Sequence, residues 1–75
     1  MSTRDELRHI EEDLTRLRAE NRDIREQIRD MGATDQIEKA AVISQADEQI
    51  ELIADLERRR DSLIARLEKE EGARD

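Results

Sequence analysis

From Leu7 onward the apolar side chains recur every third or fourth residue: Leu7, Ile10, Leu14, Leu17, Ile24, Ile28 and Met31. With Leu7 as heptad position a, the a positions read Leu7, Leu14, Asn21 and Ile28, and the d positions Ile10, Leu17, Ile24 and Met31. Charged and polar residues fill nearly every place between them. Such a pattern lays one narrow apolar stripe along a helix, the seam of a coiled coil. Thr3 followed by Glu6 has the spacing of a capping box, so a first helix is expected over about residues 4–31.

The stripe stops at Gly32. The run Met31-Gly32-Ala33-Thr34-Asp35 reads as a stop followed by a start. Glycine suits the left-handed position after a helix, and Thr34 or Asp35 can cap the next one. Beyond it the stripe resumes in a new phase at Val42, Ala46, Gln49, Ile53, Leu56, Arg60, Leu63 and Leu67. Ile43, Ile50 and Ile64 lie beside it at the e positions, and a face this wide suits a helix within a bundle of more than two. The expected fold is all-α. A single module over residues 1–75 forms an antiparallel helical hairpin, with a turn at 32–34, a second helix over about 35–69 and a fraying polar tail at 70–75. The alternative is one long helix running through Gly32 and pairing in parallel, because a lone glycine costs only about 1 kcal/mol inside a helix.

Size makes self-association the natural completion of either fold. The chain has 75 residues and neither Cys, Phe, Tyr, Trp nor Pro. Domains this small usually need a disulfide, a metal or a partner chain. With no Cys and one His, burial against another chain is the remaining route, and two hairpins joining as a four-helix bundle is the expected form. Folding about residue 33 would set Ile10 against Leu56, Leu14 against Leu52 or Ile53, Leu17 against Ile50, and Ile28 against Ala40 and Ala41. Leu7 would lie near Arg59. Leu63, Ile64 and Leu67 would then project beyond helix 1, and with Ile43, Ile50 and Val42 they are the expected oligomer interface. Asn21 is the expected register-setting residue, because a single core Asn fixes alignment at some cost in stability. Its expected neighbours are Ser44, Gln45 and Glu48.

Charge narrows the function classes. The net charge of −7 disfavours direct nucleic-acid binding, which needs a basic face to displace counterions from phosphate. It equally disfavours an anionic membrane surface. No apolar run approaches the length of a membrane span, and the first residues lack the apolar core of a secretion signal, so cytoplasm is expected. Residues 33–56 carry Lys39 as their one basic side chain against six acidic ones, which suits docking within a dimer or against a basic protein partner. Arg58-Arg59-Arg60 is flanked by Glu57 and Asp61, and Arg60, at an a position, is expected to lay its stem on the core with its head in solvent. His9 stands among Asp5, Glu12 and Asp13 and reads as ordinary helix surface. No serine has a base in a plausible triad, and no glycine-rich phosphate loop exists. Neither an enzyme nor a cofactor or metal site is expected, and the expected function is a protein–protein interaction and oligomerisation module, a scaffold or adaptor.

Glu11, Thr15, Arg18, Arg22 and Glu26 follow the 4, 3, 4, 4 spacing that resembles the Glu-Ser-Arg-Gln-Asp motif of anti-sigma factors that bind cyclic di-GMP. Arg22 stands where that motif has Gln. The wide face of helix 2 suits an alternative function, a regulatory inhibitor that captures a helix of a sigma factor or another transcription regulator, and the resemblance implies that it responds to a cyclic dinucleotide. Arg18 and Arg22 would then be the ligand contacts.

Overall fold

A computed structural model describes residues 2–31 and 36–73 and contains two helices, α1 (Thr3–Asp30) and α2 (Gln36–Ala73). They pack side by side as an antiparallel hairpin 62 Å long and 17 by 14 Å across. The continuous parallel rod is thereby excluded for this chain. The 38 residues of α2 account for the long dimension, since a helix rises about 1.5 Å per residue. Gly32, Thr34 and Asp35, the expected turn and cap, lie outside the described residues.

α1 starts one residue earlier in phase than the Thr3–Glu6 spacing suggests. Ser2 is the N-cap: its Oγ accepts from the Asp5 backbone N–H at 3.2 Å, and its carbonyl accepts from Glu6 N–H at 3.0 Å. Ser2 and Asp5 are also three apart, so the capping logic holds with a different pair. At the other end the Met31 N–H donates to the Gln27 carbonyl at 3.0 Å. α2 continues through Gly72, past the expected end at residue 69, and its last turns are tied to the start of α1. Thr3 Oγ1 donates to Glu70 Oε1 at 3.3 Å, and Arg4 pairs with Glu71 at 2.6 Å.

The core is thin. Leu14, Leu17, Ala46 and Leu63 are buried, with Asn21 as the buried polar residue. Leu14 is the most enclosed, at 1 % exposure. Leu7, Ile10, Ile24, Ile28, Val42, Ile53, Leu56 and Leu67 are half-buried along the same seam. The heptad assignment of both helices thus describes the packing.

The register departs from the expectation in a graded way. Asn21 reaches Ala46 and Gln49, one residue beyond the expected Ser44, Gln45 and Glu48. Ile10, expected against Leu56, shares a groove with Leu63, and Ile28 shares one with Ile43. Side chains on a helix lean toward its own N-terminus. In an antiparallel pair the two leans run in opposite directions along the hairpin. Longer side chains therefore meet partners whose Cα atoms stand further from the turn than simple folding arithmetic suggests. Asn21 shows a shift of one residue and Ile28, near the turn, of two or three, and the offset is largest at the open end, where Thr3 reaches Glu70 and Arg4 reaches Glu71. In consequence Leu63 is not left uncovered: it is 7 % exposed, enclosed by α1 within the chain. Leu67 is half-buried, and of the three residues expected to overhang only Ile64 is exposed.

Candidate interaction surface

The polar layer expected at Asn21 is present. Asn21 Nδ2 donates to the Ala46 carbonyl at 3.0 Å and to Gln49 Oε1 at 3.3 Å. Ala46 makes this contact sterically available, because a larger side chain there would hold Asn21 away from the α2 backbone. Among the described residues no buried side-chain nitrogen or oxygen lacks a partner. Asn21 thus ties the two helices together while its side chain also lines a groove beside Arg18 and Arg22.

What the hairpin leaves open lies on α2. Ile43, Ile50 and Ile64 are exposed at 40, 46 and 36 %. Ile43 and Ile50 are one heptad apart and share one stripe, and Asp47 lies between them. A heptad further on, the stripe is interrupted by half-buried Glu57, which accepts a hydrogen bond from Arg18 at 3.3 Å. Ile64 continues it after that break. Leu52, at 46 % exposure, faces the other flank of α2, and Ile37 at its start is 85 % exposed. Neither was anticipated as an exposed apolar residue.

Beside the Ile43–Ile50 stripe runs a feature that segment-by-segment charge counting hides. Arg18, Arg22, Arg25 and Arg29, spaced 4, 3 and 4, line one flank of α1. Together with Asn21, Glu26 and Ile53 they wall a groove of about 520 Å³. Arg25 also lines the adjoining apolar groove with Ile28, Ile43, Ala46, Asp47 and Ile50. Arg18 pairs with Glu57. Arg22, Arg25 and Arg29 have no carboxylate within ion-pair distance among the described residues, and Asp47 and Glu51 have no cation. The helical spacing of these arginines was the signal available in the sequence. Of the motif residues matched to the anti-sigma pattern, the structure places Arg18 and Arg22 on this groove, and Thr15 donates to the Glu11 carbonyl at 2.9 Å.

On the opposite side, Arg58, Arg59 and Arg66 line a groove of about 740 Å³ with Glu6, Ile10, Asp55, Ser62 and Leu63. Its charge is nearly balanced, and Arg58 is engaged by Asp55. Arg60 behaves as its a position requires: its side chain is 27 % exposed and its head pairs with Asp61 at 3.0 Å. Arg8–Asp5 and Arg16–Asp13 are exposed pairs on α1, a type worth about 0–1 kcal/mol each. Among the described residues no cluster of His, Asp and Glu could hold a metal ion, and no helix is long and apolar enough to cross a membrane. No protein-family model matches the chain, and neither a curated protein nor a solved structure matches it.

Proposed function

We propose that this chain is a non-enzymatic self-association module, a helical hairpin that pairs with a second copy as a four-helix bundle and serves as a scaffold or adaptor. The observation that carries this reading is the Ile43–Ile50 stripe, two large aliphatic side chains exposed one heptad apart beside an apolar groove. Exposed singly, such residues need no explanation; aligned on one face in a chain with so thin a core, they call for a cover. Asn21, closed onto Ala46 and Gln49, fixes the alignment of the two helices that present this face. Ile43, Ile50 and Ile64 are the contact residues, with Val42 and Leu67 at the edge of the seam.

Sedimentation velocity over a range of concentrations tests the proposal, because it returns mass and shape together. A compact particle of two chains is expected. Ile50→Glu should convert it to a single-chain particle whose helical circular dichroism persists, since a half-exposed position costs the hairpin little. A wild-type chain that remains a folded monomer at every concentration would overturn self-association. The stripe would then belong to a helix of another protein, the regulatory reading.

A further inference from the structure

Building on that self-association, we propose that the second copy covers each stripe with its arginine row. α1 of each copy lies along α2 of the other, the hairpins point the same way, and Arg25 of each copy pairs with Asp47 of the other. Three observations lead to this arrangement.

The first is charge. Two chains of net charge −7 repel each other overall, so close contact is favoured where one surface is locally positive. The row Arg18, Arg22, Arg25 and Arg29 supplies that surface, and three of its members lack a carboxylate partner among the described residues. The α2 face beside it carries Asp47 and Glu51, acidic side chains without a cation partner there. Complementary rows of this kind set orientation as well as affinity.

The second is height along the hairpin. Arg25 lines one groove with Asp47 and Ile50 of its own chain, and Asn21, one turn away, reaches Ala46 and Gln49, so Arg25 and Asp47 stand within about a turn of the same level. A two-fold axis parallel to the hairpin preserves levels between copies and makes the contact self-complementary. It therefore brings Arg25 opposite the second copy's Asp47, and Arg22, one turn nearer the open end, opposite its Glu51. The aliphatic stems of the arginines then lie over Ile43 and Ile50 while their heads reach the carboxylates.

The third is the alternative geometry. A two-fold axis perpendicular to the hairpin would stack α2 on α2 and α1 on α1. The second of these contacts sets four arginines against four arginines, and like charges directly opposed across an interface cost several kcal/mol. The parallel axis avoids this.

The test separates pairing between copies from pairing within one. Arg25→Asp and Asp47→Arg are prepared separately, checked for helicity by circular dichroism, and studied by native mass spectrometry alone and as an equal mixture. Each variant alone opposes like charges twice per dimer and should self-associate about a hundredfold more weakly than wild type. The mixture should recover a dimer containing one copy of each, because both cross pairs are then of opposite sign. A mixture that stays monomeric, or variants that dimerise alone as tightly as wild type, would overturn the pairing. With wild type still dimeric, those results would leave self-association standing; a monomeric wild type would remove both. Should either variant lose its helicity, Arg22→Asp with Glu51→Arg carries the same test one turn along.

Discussion

Leu63→Asp is expected to abolish the folded hairpin rather than merely separate two copies of it. Leu63 is 7 % exposed and shares a groove with Ile10 on α1, so an aspartate there is an unpaired charge in the seam. Burying such a group costs several kcal/mol unless it is neutralised or paired. Arg60 already pairs with Asp61 and Arg58 with Asp55; Arg59 and Arg66 line the same groove, and pairing with either would still take the carboxylate away from the apolar seam that Leu63 fills. A chain this small has only a few kcal/mol of stability in hand. Circular dichroism at 25 °C should show a large loss of helix at every protein concentration. Leu14→Ala, at the 1 % exposed centre of the seam, should lose about 2–5 kcal/mol by the same measure. Ile37→Ala, at 85 % exposure, should change stability by no more than about 0.5 kcal/mol. A Leu63→Asp variant that stays fully helical as a monomer would mean that α1 does not cover Leu63.

This contrast marks how far the sequence reaches. The two helices and the seam of Leu14, Leu17 and Leu63 follow from heptad spacing, because burial selects the residues that share a face. The Asn21 layer follows for the same reason, and its partners were misplaced by a single residue. Coverage of Leu63 does not follow from spacing. It depends on the direction in which side chains lean along two antiparallel helices, a displacement that counting Cα positions leaves out. The helix start was missed by one residue because Ser2 with Asp5 and Thr3 with Glu6 offer the same cap chemistry in overlapping frames. Leu52 and Ile37 could not be read as exposed, since their apolar character says nothing of which side of α2 a second helix occupies. The arginine row on α1 was legible at the 3.6-residue period. The acidic residues between its members hide it in the linear sequence: Glu20, Asp23 and Asp30 stand elsewhere on the helix, and Glu26 alone lines the same groove.

Asn21→Leu should raise stability and loosen structure together. The wild-type amide spends its burial on two hydrogen bonds, to the Ala46 carbonyl at 3.0 Å and to Gln49 Oε1 at 3.3 Å. Such bonds contribute only about 0.5–1.5 kcal/mol each net of desolvation. A leucine at a 6 % exposed position replaces them with apolar burial worth about 1.5–3 kcal/mol. The melting temperature at fixed chain concentration should rise by about 5 °C, following the usual scaling for a domain of this size. Asn21→Ala should move the other way by about 10 °C, because it forfeits the bonds, leaves Gln49 facing an apolar wall and fills no space. The informative outcome is the state of the leucine variant. Heptad seams of Leu and Ile align almost equally well when slid by a repeat, and Asn21 meets an acceptor pair only at Ala46 and Gln49, so it penalises every other alignment. Without it, sedimentation velocity should resolve more than one species where wild type gives one. A leucine variant that is both more stable and as uniform as wild type would transfer the register-setting role to the ends of the hairpin. There Thr3 and Arg4 hold Glu70 and Glu71, and truncation before Glu70 would become the variant that slips.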